Sequence, residues 1–600
     1  MWHVLSQYLL NTHQGLIVTR FPKLTPLFLS TALTLTLCYP ALHIADSQAN
    51  EASIFSEMAT AQPIYAKHGM VSSQEALASQ IGVEILKKGG NAVDAAVAVA
   101  YALAVTLPRA GNIGGGGFML VHLAEQNKTI AIDYRETAPA KAHKDIFLDE
   151  QGNAVDKLSR EHGLAVGVPG TVMGMELALK QYGTMKMAQV IKPAIKLAKD
   201  GIVVTSDLSN SLAGLKSRIT QWPSSAAIFY HADGSNYQVN ELLKQPELAQ
   251  SLSLIAQKGS KGFYQGETAK KIVSAVQNAG GIMSLTDLAN YKVIEREPVR
   301  GNYRGYEVVS MPPPSSGGIH IIEMLNVLEQ FPIDKLGHNT ANTLHLMAET
   351  MKYAYADRSE YLGDPDFVNV PVKQLTSKKY AKEIASKIAI NKTTPSSEIK
   401  PGKLAPYESD QTTHFSVIDK WGNAVANTYT LNFSYGSGLV AKGTGILLNN
   451  EMDDFSVKPG TPNGYGLIGG EANAVQGNKR PLSSMSPTMV MKDGKPFIVT
   501  GSPGGSRIIN ITLQMIMNVI DHNLNIAEAT AAARMHHQWL PDFIWVEHTL
   551  NRDTISLLEA KGHKVKVQES IGSTQSIMMT EQGLFGASDP RRAGSAAIGY

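Results

Sequence analysis

Residues 408–419 read Glu-Ser-Asp-Gln-Thr-Thr-His-Phe-Ser-Val-Ile-Asp, and the character of the chain changes at Thr412. The residues before Thr412 are polar, whereas those after it alternate in a way that predicts a β-strand. One face of that strand carries Thr412, His414, Ser416 and Ile418, and the other carries Thr413, Phe415, Val417 and Asp419. Residues 420–423 have turn chemistry, and residues 424–432 (AVANTYTLN) are typical of a returning strand. The stretch therefore predicts a hairpin that begins with a threonine.

The register of this hairpin decides which side chains lie near Thr412. A turn over residues 420–423 places Thr412 across from about Leu431, with Thr430 and Asn432 close by. A slip of one residue exchanges the neighbours on each face, and the pattern leaves that slip open. An ordinary hairpin with surface threonines also fits this stretch.

Composition describes a globular protein. The chain has 600 residues, of which 43% are hydrophobic and 18% charged, and its formal net charge is +2. Length alone suggests roughly two to four domains. The small net charge gives no reason to expect a nucleic acid or an anionic membrane as partner.

The N-terminus is typical of an export signal. Arg20 and Lys23 precede an apolar run over residues 24–38, and residues 47–49 (Ser-Gln-Ala) form a small-residue cleavage signal. We therefore expect a signal peptide over residues 1–49 and a periplasmic or secreted protein without a membrane anchor. A retained anchor is the alternative, and a lipoprotein site at Cys38 fits poorly because Leu37 precedes it. Cys38 is the single cysteine, so a chain that begins at residue 50 has no disulfide, thiol catalysis or cysteine–zinc site.

Helices are expected early in the chain. Residues 68–107 predict a helix pair capped by residues 72–75, and its second member is so rich in alanine and valine that it should be buried. Residues 111–119 contain many glycines in a spacing that does not fit G-x-G-x-x-G, which favours close backbone packing over nucleotide binding. Residues 167–411 have a largely helical pattern.

The remaining expected elements fall in that helical region and after the hairpin. Breaks are expected at Pro223, 280–281 and 312–318, a helix at 351–362, a linker at 391–408, strands at 443–450, 487–492 and 496–500, and an apolar helix at 508–520. We find no internal repeat.

Thr412 is the residue around which a reaction can be built. The chain contains no H-E-x-x-H and no G-x-S-x-G motif, and we expect neither a metal nor a cofactor. A threonine hydroxyl is a poor nucleophile without a base, but an N-terminal threonine carries a base in its own α-amino group, whose pKa is about 8. Attack of the Thr412 hydroxyl on the carbonyl of Gln411 would form an ester that water cleaves, which would create that N-terminus.

Other candidate groups each have a plain structural alternative. Gly504 and Gly505 precede a helix and can present backbone N–H groups to an oxyanion, although a Gly-Gly pair also serves packing. The pair Ser483-Ser484 is also compatible with a simple turn, Asp454 with a solvated acid, and Arg135 with an ion pair. Adjacent His536 and His537 favour a structural role.

Taken together, these residues resemble a known family, the bacterial γ-glutamyltranspeptidases of the N-terminal nucleophile hydrolase superfamily. The matching runs are 89–96, 111–119, 133–136, 167–171, 312–320, 352–366, 411–432, 447–460, 479–488, 500–507, 536–541, 572–576 and 586–591. The resemblance implies an α+β fold, a four-layer αββα sandwich, formed as one intertwined domain. It also implies cleavage between Gln411 and Thr412 into a large subunit, 50–411, and a small subunit, 412–600.

The resemblance also implies a role for each candidate residue. Thr412 would be the nucleophile, oriented by Thr430. Gly504 and Gly505 would form the oxyanion hole. The γ-glutamyl head would be bound by Arg135, Ser483 and Ser484 at its α-carboxylate, by Asn432, Glu451 and Asp454 at its α-ammonium, and covered by Tyr465. Position 451 is Glu, where some bacterial members have Gln, so specificity is expected to differ there.

The implied reaction is γ-glutamyl transfer from glutathione or glutamine to water, an amino acid or a peptide. The partners would be these donors and acceptors and the other subunit of the heterodimer. An acylase of the same superfamily that removes glutaryl side chains from β-lactams is the alternative enzyme, and an uncleaved export-pathway binding protein is the non-enzymatic alternative.

Overall fold

The computed structural model of the protein describes residues 59–400, 412–458, 460 and 467–600. The expected signal peptide, Gln411 and Tyr465 lie outside these residues. Two antiparallel sheets of seven strands each form the centre of the fold. Sheet 1 contains, in spatial order, Ala596–Gly599, Met70–Ser73, Thr413–Ile418, Ala424–Thr430, Gly116–Leu123, Lys128–Tyr134 and Ile294–Arg296. Sheet 2 contains Ile64–Ala66, Gly583–Ser588, Gln575–Thr580, Lys495–Thr500, Thr488–Lys492, Tyr306–Ser310 and Val299–Tyr303.

The two sheets face each other across a buried core. Because side chains alternate across a strand, Ile418 points from sheet 1 into this core and meets Met489 and Val499 of sheet 2. The opposite face of sheet 1, with Phe415 and Val417, packs against helices. A second helical layer covers sheet 2. The four layers follow the order helix, sheet, sheet, helix, which confirms the predicted αββα sandwich.

The helices divide between the two outer layers. Those on sheet 1 include Ala76–Lys87, Ala92–Thr106, Thr171–Tyr182, Met187–Asp200, Pro246–Lys258 and Gly266–Asn278. Those on sheet 2 include Gly317–Leu328, Ala341–Tyr361, Lys378–Ala385, Ile508–Ile520, Ile526–Ala531 and Arg552–Ala560. Shorter helices are Asp156–Arg160, Ser206–Gly214, Lys216–Thr220, Pro223–Phe229, Lys261–Tyr264, Leu285–Asn290, Ile333–Leu336 and Val372–Leu375. Small strands pair outside the main sheets: Ile202–Val203 with Leu242–Leu243, Val440–Ala441 with Ile446–Leu447, and Met535–His536 and Val565–Gln568 with Ile544–Glu547. No helix in the described part of the chain is long and apolar enough to span a membrane.

The alanine- and valine-rich helix is buried, as predicted. Every residue of Ala92–Thr106 is inaccessible to solvent or nearly so. Asn91 caps its start by accepting hydrogen bonds from the N–H groups of Val93 and Asp94, and the Asp94 carboxylate accepts from the Asn91 N–H. The preceding helix is capped by Glu75, because residues 70–73 form a strand of sheet 1 rather than helix.

Two expectations for the secondary structure are wrong. The helical region also contains strands of the main sheets: Ile294–Arg296 pairs with Lys128–Tyr134, Tyr306–Ser310 pairs with Thr488–Lys492, and Val299–Tyr303 pairs with its neighbour Tyr306–Ser310. The break expected at Pro223 is present, since one helix ends at Thr220 and the next begins with Pro223, where a proline loses no hydrogen bond. Residues 443–450 contain only the short strand Ile446–Leu447.

Candidate active site

The hairpin has a register one residue away from the expected one. Thr413 pairs with Tyr429 and Ile418 with Ala424, so the continuing register sets Thr412 opposite Thr430, not Leu431. The turn is shorter than predicted, because the N–H of Asp419 already bonds to the carbonyl of Asn423. Gly422 makes this possible with a φ of 84°.

This register brings the two threonine hydroxyls together. The Thr412 hydroxyl donates to Thr430 Oγ1 at 3.5 Å. Thr430 Oγ1 also accepts the backbone N–H of Asn432 at 2.8 Å, which fixes its rotamer beside Thr412. The hydrogen bond between Thr412 and Thr430 that the family resemblance implies is present in the structure, and the catalytic roles of the two residues stay predictions.

The glycine-rich stretch, residues 111–119, packs against the backbone of Thr430. Asn112 donates from Nδ2 to the carbonyl of Thr430 at 2.9 Å and accepts the N–H of Gly115 at 2.9 Å. A Cβ atom at Gly115 would lie 2.1 Å from that same carbonyl. The predicted close backbone packing is confirmed here, and its effect is to hold the strand that carries Thr430.

Thr412 lines a small polar cavity that is partly open to solvent. Nine of the predicted site residues line it: Arg135, Thr412, Thr430, Asn432, Glu451, Asp454, Ser483, Ser484 and Gly505. The other lining residues are Arg358, Leu467, Met485, Ser506 and Ile508. Gly504 adjoins the cavity through Gly505, while Tyr465 and Gln411 belong to the part of the chain that the structure does not describe.

Arg135 is one of two buried arginines that line this cavity. Its two Nη atoms contact the carboxylates of Glu451 and Asp454, and a third carboxylate, that of Glu136, lies 3.7 Å away. Its Nε donates to the carbonyl of Pro481 at 3.2 Å. A planar guanidinium held in this way is pre-oriented to bind carboxylate groups.

The three carboxylates outnumber the single guanidinium that they surround. Burial raises the pKa of Glu136 to about 7, although the charge of Arg135 opposes that shift. Burial likewise raises the pKa of Glu451 and of Asp454, again against the charge of Arg135. A further cation beside these carboxylates would stabilise their ionised form, and a ligand ammonium group can provide it.

Arg358 is a cavity residue that sequence reasoning missed. It donates from Nη2 to Ser484 Oγ at 3.2 Å and from Nε to Ser316 Oγ at 3.0 Å. Burial lowers its pKa to about 10. The helix that carries it was predicted, but its position in a helical pattern does not distinguish a buried arginine from a surface one.

Gly504 and Gly505 form a turn with two successive positive φ angles, 137° and 51°. They lead into the helix Ile508–Ile520, whose amino end favours negative charge. Within the described residues, neither glycine N–H donates a hydrogen bond. Both N–H groups are thus candidates for stabilising an oxyanion that forms beside the Thr412 hydroxyl.

Two facing antiparallel sheets between helical layers, with a threonine at the start of a central strand in a polar cavity, define an N-terminal nucleophile hydrolase. Residues 78–599 match the family described as Gamma-glutamyltranspeptidase, and the chain belongs to that family.

Relatives agree with this assignment over nearly the whole chain. A glutathione hydrolase proenzyme of Escherichia coli is 58% identical over 539 residues, which are 90% of this chain and 93% of the relative. The crystal structure of a cephalosporin acylase from Bacillus halodurans is similar with a TM-score of 0.78 and 30% identity, covering 90% of this chain and 97% of that one. The γ-glutamyltranspeptidase of Helicobacter pylori matches with a TM-score of 0.54 and 50% identity, over 56% of this chain and 95% of that one.

Proposed function

We propose that the protein transfers γ-glutamyl groups from glutathione, glutamine and related donors to water, amino acids or peptides. One observation carries this proposal: the Thr412 hydroxyl opens into the same cavity as the guanidinium of Arg135 and the carboxylates of Glu451 and Asp454. A nucleophile is thereby placed beside groups that suit both charges of a glutamyl head. Family membership supports the same reaction.

The active enzyme would arise by cleavage of its own precursor. The Thr412 hydroxyl attacks the carbonyl carbon of Gln411, the C–N bond of that peptide breaks, and the nitrogen takes up the proton that the hydroxyl loses to become the Thr412 α-amine. Water then hydrolyses the resulting ester, which leaves a large subunit, 50–411, and a small subunit, 412–600. The N-terminal sequence supports prior removal of residues 1–49 during export to the periplasm.

The new α-amine would serve as the base for turnover. It takes the proton of the Thr412 hydroxyl as the oxygen attacks the γ-carbonyl of the donor, while Thr430 holds that oxygen in place. The N–H groups of Gly504 and Gly505 stabilise the oxyanion, and the leaving amine takes a proton as the C–N bond breaks. Water or an amine then attacks the γ-glutamyl ester and restores the hydroxyl.

Binding of the donor would use both sides of the cavity. Arg135, Ser483 and Ser484 hold the α-carboxylate, and Asp454, Asn432 and Glu451 hold the α-ammonium. The donor therefore exchanges the direct contacts of Arg135 with the two carboxylates for contacts with its own two charges. The proposed cover by Tyr465 lies outside the described residues.

A glutaryl β-lactam acylase is the second candidate, because a cephalosporin acylase shares the fold at 30% identity. A glutaryl group has a terminal carboxylate but no ammonium. It would draw Arg135 away from the buried carboxylates of Glu451 and Asp454 without bringing an ammonium to replace it, which costs binding energy. The acidic side of the cavity therefore favours γ-glutamyl donors.

The test combines N-terminal sequencing of the smaller band with turnover assays. We expect the wild-type small subunit to begin at Thr412, Thr412→Ala to remain one uncleaved chain, and a γ-glutamyl anilide to be hydrolysed at least a hundredfold faster than a glutaryl anilide. Products formed from glutathione and an acceptor dipeptide separate hydrolysis from transfer. Two bands in Thr412→Ala, or a preference for the glutaryl anilide, would contradict the proposal.

A further inference from the structure

A buried ionic cluster that does not line the cavity holds the last described residues before the cleavage site. Its centre is Lys352, whose side chain is 1% exposed. The ammonium of Lys352 donates to Glu349 Oε1 at 2.8 Å, to Thr393 Oγ1 at 2.7 Å and to the carbonyl of Thr394 at 2.7 Å. All three of its donors are therefore used, which is what a buried ammonium requires.

The same cluster binds the backbone of residues 393–399, here called the anchored segment. The N–H of Thr394 donates to Glu349 Oε2 at 3.0 Å, and the N–H of Ser396 donates to Asp542 Oδ2 at 2.9 Å. The indole N–H of Trp539 donates to the carbonyls of Ser396 at 2.9 Å and of Ile399 at 3.2 Å. Glu349, Lys352, Trp539 and Asp542 together are called the clamp.

A metal site explains this cluster less well than its hydrogen bonds to the anchored segment do. His345, Glu349 and His563 place ligand atoms within 4.8 Å of one another, as a zinc site does. However, His345 Nδ1 and His563 Nε2 are 2.8 Å apart, closer than the roughly 3.3 Å between two nitrogens on tetrahedral zinc. Both oxygens of Glu349 already accept hydrogen bonds from Lys352, Thr393 and Thr394.

The clamp joins the two sides of the expected cleavage site. Glu349, Lys352 and the anchored segment precede Thr412 in the chain, whereas Trp539 and Asp542 follow it. The proposed cleavage at Gln411–Thr412 cuts the covalent link between them but removes none of these contacts. Twelve residues, 400–411, connect the anchored segment to Thr412.

We propose that the clamp is a tether for maturation, which positions the chain before the cut and holds the end of the large subunit on the small subunit after it. This inference rests on the proposed cleavage. In the precursor, the clamp fixes the chain twelve residues before Thr412. The next contact that does not involve the clamp is the hydrogen bond of the Thr393 N–H to the carbonyl of Lys561 at 2.9 Å, so loss of the clamp lengthens the connection from 12 to 18 residues. In the mature enzyme, the clamp keeps the anchored segment on the small subunit.

Limited proteolysis followed by intact mass measurement of the large subunit tests the tether. Trp539→Phe combined with Thr393→Val removes one hydrogen-bonding group of the clamp and one of the anchored segment while keeping apolar side chains of similar shape, and Lys352→Met is the stronger variant. We expect the wild-type subunit to be trimmed no further than Ile399, and the variants to be trimmed to about residue 393, where the Thr393 N–H still bonds to the carbonyl of Lys561. Trp545→Phe is the matched control, since Trp545 packs against His536 and Phe543 rather than the anchored segment.

The rate of maturation is the second measurement. A longer connection should slow cleavage about twofold in the double variant, while turnover per cleaved enzyme stays at the wild-type value. Variants that are trimmed like the wild type, or that lose turnover per cleaved enzyme, overturn the tether. A wild-type chain that is never cut at Gln411–Thr412 contradicts the proposed function instead. In that case the tether is tested on the uncut chain. An added protease should then cut the wild-type chain after Ile399 and not within the anchored segment.

Discussion

At the scale of single residues, the crowding of carboxylates around Arg135 is the main feature of the cavity, which Arg358 lines as a second guanidinium. Three buried carboxylates surround Arg135, and burial raises the pKa of each of them. Glu451 is buried and one of its oxygens, Oε2, has no hydrogen-bond partner in the described residues. An unsatisfied buried carboxylate oxygen is costly, so a ligand that donates to it is favoured.

Replacing Glu451 with Gln should change donor binding in a pH-dependent way. Burial raises the pKa of Glu451, so its carboxyl stays protonated, and resembles the amide of Gln, to a higher pH than an ordinary carboxyl does. As pH rises through that pKa, the wild-type side chain gains a negative charge that attracts the α-ammonium, and the variant does not. We expect the deficit of Glu451→Gln in kcat/KM, measured with a γ-glutamyl anilide, to grow with rising pH and to reach about five- to tenfold where Glu451 is ionised.

The exposed residue Glu307 provides the control for that profile. It pairs with Arg300 on the surface, so Glu307→Gln should follow the wild-type curve. A deficit of Glu451→Gln that is the same at every pH would show that the charge of Glu451 does not contribute to donor binding.

The structure brings nine of the predicted site residues to one cavity, and their prediction rested on the family resemblance rather than on local pattern. Single positions such as Asp454 or Ser483 carry no pattern of their own, and the family resemblance located them. Arg358 was missed although it donates to Ser484, because its partner lies 126 residues further along the chain. Chemistry that depends on contacts between distant segments cannot be deduced from local periodicity.

At the scale of elements, local signals predicted the hairpin but not its register. The alternation after Thr412 is correct, with Ile418 facing sheet 2 and Phe415 facing the helices. The turn contains one residue fewer than expected, and this single residue decides whether Thr412 meets Thr430 or Leu431. The strands Ile294–Arg296 and Val299–Tyr303 lie at sheet edges. They were missed because edge strands are short and mixed in polarity, so they carry no clear alternation.

Asp419 is the residue that sets this turn, and its loss should destabilise the hairpin. Its buried carboxylate accepts the N–H groups of Trp421 and Asn423 within the turn and that of Ala92 at the start of the buried helix. Asp419→Ala leaves these donors unsatisfied, so we expect a loss of roughly 2–3 kcal/mol in the free energy of unfolding. Thermal unfolding measures this change as a lowered Tm.

Asp233, an exposed aspartate in another turn, is the control. Its replacement by Ala measures the loss of unfolding free energy where the carboxylate is not buried. Asp233 accepts the N–H and the hydroxyl of Ser235 at the surface, and Asp233→Ala should change the free energy of unfolding by no more than about 0.5 kcal/mol. Equal losses in the two variants would mean that Asp419 does not organise the hairpin.

At the scale of the whole molecule, the segments before and after Thr412 are interleaved in both sheets. In sheet 1, Met70–Ser73 lies between Ala596–Gly599 and Thr413–Ile418, and Ala424–Thr430 pairs with Gly116–Leu123. In sheet 2, Ile64–Ala66 pairs with Gly583–Ser588 at one side and Tyr306–Ser310 with Thr488–Lys492 at the other. Each proposed subunit therefore completes the sheets of its partner.

This interleaving predicts that the mature subunits do not separate while they remain folded. Separation would break strand pairs in both sheets and expose the core between them, so backbone hydrogen bonds and apolar burial hold the subunits together rather than surface charge. We expect one gel-filtration peak containing both subunits from low salt to 2 M NaCl, since salt screens only exposed charges. In urea, dissociation and the loss of circular dichroism should share one midpoint. Release of a folded small subunit below that midpoint would contradict an intertwined domain and would favour two separable ones.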